Sequence, residues 1–174
     1  MPEPVTPPPL PNALLGETPT AKLLWLYLRP KGPVSYSTRD LAAALYGSQP
    51  LVHAGLGRLR ALGLLAELGQ HRRRVRGTYQ AVEPGGRAGS PRTALDARDP
   101  PPLPGVLEGA TPITKIVYLY LEPCREVRVM VAQLEKWLGI SQQPAYKALR
   151  DLRRLCLVTL LPNARGRPRD ASRS

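Results

Sequence analysis

The sequence predicts a mainly α chain with small β-hairpins, built as two tandem copies of one unit joined by a Pro/Gly-rich linker. Three observations carry this expectation. The segment PPPLP at Pro7 to Pro11 returns at Pro100 to Pro104, and the same shift of 93 residues lays TPTAKLLWLYLRP (Thr18 to Pro30) on TPITKIVYLYLEP (Thr111 to Pro123). Leu41, Leu45, Ser48, Gln49, Leu56, Leu59, Arg60, Leu62 and Leu64 fall on Leu134, Leu138, Ser141, Gln142, Leu149, Leu152, Arg153, Leu155 and Leu157. No gap is needed, and more than a third of the aligned positions are identical, which is the mark of an internal duplication. Second, the leucines within each copy recur at helical spacing. Third, the 21 prolines sit mainly outside those periodic stretches.

Each element of the first copy has a local cause. Thr18-Pro19 offers a cap residue followed by a proline suited to the first helical position, and Leu23, Leu24, Leu26, Tyr27 and Leu28 continue a helix to about Arg29. Lys31-Gly32-Pro33 breaks it. Ser37-Thr38-Arg39-Asp40 then starts a short helix through Leu45, with Leu41, Ala44 and Leu45 on one face. Gly47 makes a turn, and Ser48 caps a third helix whose Val52, Gly55, Leu56, Leu59 and Leu62 face inward. After Gly63, LLAEL and TYQAV read as two short strands joined by the charged turn HRRRVRG. The second copy repeats the order: helices at about Thr111 to Leu121, Val131 to Leu138 and Ser141 to Cys156, then a strand beginning LVTLL. The domain expectation is a Pro-rich arm over 1–17, unit one over 18–82, a flexible linker with the second PPPLP over 83–110, unit two over 111–162 and a basic tail over 163–174. The PPPLP segments are read as arms packing on their own unit, or as ligands for a proline-binding partner.

Lys and Arg outnumber Asp and Glu by 25 to 13, a net charge of +12 that points to an acidic polymer as partner. No apolar run approaches the roughly 18 residues needed to span a bilayer, and MPEPVTPPPLP carries no leader pattern, so a cytoplasmic, nucleoid-associated protein is expected. Cys124 and Cys156 lack metal-ligand spacing and are expected reduced and structural. His53 and His71 have no acidic or cysteine cluster beside them in sequence, so neither metal nor other cofactor is expected. No phosphate loop, nucleophile elbow or catalytic carboxylate pair is recognisable, and no catalysis is expected.

The strings DLAAALYGSQPLVHAGLGRLRALGLL and QLEKWLGISQQPAYKALRDLRRLCLV resemble the winged helix-turn-helix domains of bacterial regulators of the MarR-like kind. The shared pattern is a short helix, a glycine-containing turn, a Ser-capped recognition helix and a leucine-spaced exit into the wing. The resemblance covers both copies and implies DNA binding. Winged helices also serve as protein-interaction modules in chromosome condensation, so the choice between partners rests on charge and exposed side chains.

A recognition helix needs short polar groups near its start for base edges and cations beyond them for phosphates. In the first copy these candidates are Ser48, Gln49, Pro50, His53 and Arg58; in the second they are Ser141, Gln142, Gln143, Tyr146, Lys147 and Arg150. His71, Arg72, Arg73, Arg74 and Arg76 form a basic wing tip, suited to phosphates or a narrow minor groove. Arg165, Arg167 and Arg169 lie in a run resembling the Arg-Gly-Arg-Pro core of an AT-hook, but they also align with Arg72, Arg74 and Arg76 and equally suit a degenerate second wing or a plain basic tail. Trp25 and Tyr27, aligned with Tyr118 and Tyr120, are core aromatics, and Trp137 is a candidate for contact between the units.

Together these features lead to a double-stranded DNA-binding protein, a transcription regulator or replication initiator, in which one chain imitates a dimer. A homodimer of such chains stays open as an oligomeric state. The alternative is an architectural protein whose winged helices grip a protein partner while charge supplies general DNA affinity.

Overall fold

The computed structural model describes residues 7–70, 77–84, 99–124, 127 and 129–159. Within them the chain is mainly helical with one small antiparallel sheet. In order it forms α1 (Asn12–Leu15), α2 (Pro19–Leu28), β1 (Val34–Tyr36), α3 (Thr38–Ala44), α4 (Gln49–Ala61), β2 (Leu65–Gln70), β3 (Gly77–Ala81), α5 (Pro112–Leu121), α6 (Val131–Leu138) and α7 (Gln142–Arg154). Displacement by 93 residues carries α2, α3 and α4 onto α5, α6 and α7, and it carries α1 onto a 3-10 turn at Gly105–Leu107.

The starts of the long helices follow from the repeated Thr-Pro. The hydroxyl of Thr18 accepts from the Ala21 amide at 3.4 Å and that of Thr111 from the Thr114 amide at 3.3 Å, with a proline leading each helix. From Ala21 to Leu28 every side chain of α2 is buried, the pattern of a helix surrounded by protein rather than lying on a surface. Its neighbours explain this: α4 packs on one part of α2 and α5 on another, while α7 packs on α5. The layers therefore run α4, α2, α5, α7, with the two long-helix counterparts in contact at the centre.

Beside α3 and α4 lies a three-stranded sheet in the order β1-β3-β2. Val34 pairs with Tyr79 and Tyr36 with Gly77, while Leu65 pairs with Ala81 across the other edge. The sequence led to two strands; the third arises because Val34 and Tyr36 bury their side chains against the hairpin, and Tyr36 stacks on Tyr79 with ring centres 4.8 Å apart. Three residues of strand beside Lys31-Gly32-Pro33 gave too little periodicity to read. After α7 the described residues to Thr159 form no strand, and the rest of the LVTLL segment lies outside them.

The proline-rich arms make contacts that the sequence did not indicate. Each hydrogen-bonds to the opposite copy, and within residues 99–110 Leu103 and Leu107 are buried in the shared core. The Leu10 amide donates to the Trp137 carbonyl at 3.0 Å, and its repeat counterpart Leu103 donates to Ala44, the counterpart of Trp137, at 2.9 Å. Tyr120 donates its hydroxyl to the Pro7 carbonyl at 3.0 Å, and Tyr27 donates to that of Pro101. Lys22 reaches the Gly139 carbonyl at 2.8 Å, and Lys115 reaches those of Leu45 and Tyr46 at 2.8 and 3.1 Å. Contacts of residue i with j, mirrored by j with i, are the signature of a two-fold interface, here formed within one chain. Leu10, Leu14, Leu103 and Leu107 are all buried, and the buried residues form a single cluster spanning both copies. An isolated PPPLP segment has too little apolar area to order itself; the other copy supplies the missing surface. Trp137 does mark the contact between the copies, but through its backbone carbonyl, with its ring tilted against Tyr120.

Candidate nucleic-acid interface

The exchange fixes α4 and α7 as two outer, equivalent helices, each with one apolar stripe turned inward. On α4 the buried residues are Val52, Gly55, Leu56 and Leu59; on α7 they are Ala145, Ala148 and Leu152. Gly55 admits the close crossing of α2, since a Cβ there would stand 2.7 Å from Leu24 Cδ1. The opposite faces are solvent-exposed. Gln49, Pro50, His53 and Arg58 all lie on that face of α4, and Gln142, Gln143, Tyr146, Lys147 and Arg150 on that of α7.

Ser48 and Ser141 occupy the N-cap positions with extended backbone, but neither hydroxyl accepts a bond from its helix. This corrects the expectation that they cap through their side chains. Each start consequently presents amide N–H groups that no capping hydroxyl satisfies, together with the positive end of the helix dipole, an arrangement suited to a phosphate oxygen.

The two faces differ in charge. Arg58 is held by Glu17 in a two-pronged ion pair, its Nε 3.0 Å from Oε2 and its second nitrogen on Oε1. That guanidinium, aided by the more distant Lys22, holds the Glu17 carboxyl below the usual range. The counterpart of Glu17 in the second copy is Ala110, and that of Arg58 is Asp151. On α7, Lys147, Arg150, Arg153 and Arg154 are exposed and form no ion pair among the described residues. The second face is the more available to an anion.

The buried cations have a different task. Lys22 and Lys115 are each 4% exposed, and their ammonium groups sit at the C-terminal carbonyls of α6 and α3, where the helix dipole favours positive charge. Burial pushes both ammonium groups below their ordinary value. They join the copies and are not presented to a ligand.

The wing-tip residues His71, Arg72, Arg73, Arg74 and Arg76 and the tail residues Arg165, Arg167 and Arg169 lie outside the described residues. The strands that flank the wing turn, β2 and β3, are present and paired, with Gly77 opposite Gln70. Arg60, exposed on α4, covers the Tyr79 ring at 5.0 Å.

One feature escaped the sequence. Met130 and Tyr146 are 67% and 63% exposed, and Val131, Gln142, Gln143 and Tyr146 line a shallow depression between the starts of α6 and α7. Its signal was available in the repeat: Met130 stands where the first copy has Ser37, a working cap that accepts from the Asp40 amide at 3.1 Å. Among the described residues no group of side chains suits a metal ion, and no helix is long and apolar enough to cross a membrane. No family model, curated protein or solved structure matches the chain.

Proposed function

We propose that the chain binds double-stranded DNA as a covalent pseudo-dimer of winged helices, with α4 and α7 entering the major groove. The observation that carries this reading is the pairing of two equivalent outer helices with exposed polar starts and cationic faces across a reciprocal α2–α5 contact. Helices pack about 8–10 Å apart, so three steps from α4 to α7 separate their axes by at most about 30 Å. Successive major-groove turns on one face of DNA lie about 34 Å apart, within reach of side chains a few ångströms long. The pseudo-two-fold relation suits an inverted repeat, and the unlike side chains of α4 and α7 make that repeat imperfect. Such a site belongs to a transcription regulator or a replication initiator.

Binding of a labelled random duplex across a salt series tests the proposal. Log affinity falls linearly with log salt, with a slope of about −0.9 for each phosphate neutralised. Arg150→Ala lowers the magnitude of that slope by about 1 and weakens binding to all sequences alike. Affinity that ignores salt, or an Arg150→Ala protein that binds as before, contradicts the proposal.

A further inference from the structure

We infer that the depression between α6 and α7 takes the 5-methyl group of thymine, a contact that the second recognition helix makes and the first does not. This rests on the DNA-binding reading above. Three observations lead to it.

First, the helix start at Met130, next to the lining residue Val131, gives up stability. The first copy begins its short helix with Ser37 and Asp40 in a reciprocal cap, Ser37 Oγ accepting at 3.1 Å and Asp40 accepting from the Ser37 amide at 3.2 Å. At Met130 the hydroxyl is gone, and only the Gln133 side chain remains, accepting from the Met130 amide at 2.9 Å. A thioether two-thirds exposed to water brings no compensating burial, and Tyr146 is nearly as open. A local rule broken without gain to the fold marks a surface kept for a contact.

Second, the shape and chemistry suit the edge of a base pair. The volume is about 260 Å³ and open, below the roughly 300–1,000 Å³ of a site that encloses a small molecule. Val131 and Tyr146 give apolar contact beside the amides of Gln142 and Gln143. The thymine methyl is the apolar group on the major-groove edge, and an amide pairs bidentately with N6 and N7 of adenine. One T·A step therefore answers both halves of the lining.

Third, the surroundings favour a polyanion over an apolar protein partner. Lys147 and Arg150 are exposed on the same helix within one turn of Tyr146, and the chain as a whole carries +12. In place of Met130, Val131 and Tyr146 the first copy carries the polar Ser37, Thr38 and His53.

The test uses the full chain. A duplex retained from a random pool at near-physiological salt is resynthesised with deoxyuridine in place of each thymidine, which deletes the methyl groups and keeps the pairing. The wild-type protein loses about fourfold in affinity for each methyl in contact, the loss expected from uncovering one carbon of apolar surface. The double variant Met130→Ser, Tyr146→His copies the first unit at exposed positions and binds the thymidine and deoxyuridine duplexes equally. Wild-type protein that binds both duplexes equally overturns the inference and leaves DNA binding intact. A double variant that still prefers thymidine also overturns it. If no duplex is retained at all, the DNA-binding reading fails, and the inference fails with it.

Discussion

Replacing Leu103 by Ala separates a shared core from two independent units. Leu103 belongs to the second proline arm, is 5% exposed, and is anchored on the first copy by its amide to Ala44 and by its carbonyl, which accepts from Tyr46 at 2.9 Å. Alanine keeps both backbone bonds, so the substitution removes apolar contact alone. Three carbons at about 0.8 kcal/mol each give about 2.4 kcal/mol, and a cavity that fails to collapse raises the cost toward 5 kcal/mol. The arm lies at the edge of the core and can settle inward, which places the expected loss at about 2–3 kcal/mol. The assay is urea unfolding followed by tryptophan fluorescence, because each copy carries one tryptophan, Trp25 in the first and Trp137 in the second. In Trp137→Phe and Trp25→Phe backgrounds the two probes report one shared transition, and Leu103→Ala moves both midpoints together. A cost below about 0.5 kcal/mol, the level of an ordinary surface change, refutes the reasoning. So does a shift seen by one probe alone.

Four further outcomes follow from the same contacts. Gly139 is left-handed at φ 58°, and a Cβ there would collide with the Leu15 carbonyl oxygen; Gly139→Ala costs more than about 1 kcal/mol of unfolding free energy in urea titration. Cys156 is left-handed at φ 57° where the first copy has Gly63 at 70°, so Cys156→Gly raises stability by about 1 kcal/mol in the same titration. Burial pushes the Tyr120 phenol from its ordinary 10 up to about 12; between those values the unfolded chain ionises while the folded one stays protonated, so stability falls as pH rises, by about 2 kcal/mol at pH 12. Unfolding of Tyr120→Phe across that range loses this contribution to the slope, at the cost of the bond to Pro7. Glu17→Gln releases Arg58 for phosphate, and duplex binding becomes tighter and steeper in salt by a slope of about 1; unchanged affinity shows that Arg58 meets no phosphate.

The helices were legible because their causes are local. Thr18-Pro19 and Thr111-Pro112 set two starts, Ser37 with Asp40 set a third, and the leucine spacing of α4 and α7 separated buried from exposed faces. Two things were not legible, for one reason. That the arms cross to the opposite copy depends on surfaces such as the Ala44 and Trp137 carbonyls, which come together only when α2 meets α5. A repeat shows that two units are alike and says nothing of which unit receives an arm. Likewise Arg58 reads as a free phosphate contact until Glu17, 41 residues away, is seen to hold it. The depression beside Met130 was within reach of the sequence, since the exchange of a capping serine for methionine stands out when the copies are compared.

Hydroxyl-radical footprinting of the full chain on a duplex retained from a random pool tests the central claim most directly. The account predicts two protected segments centred one helical turn apart, both lost together at high salt and the one under α7 the more strongly protected. A single short protected segment, or no protection where the protein is bound, contradicts a pseudo-dimer that sets α4 and α7 in successive major grooves.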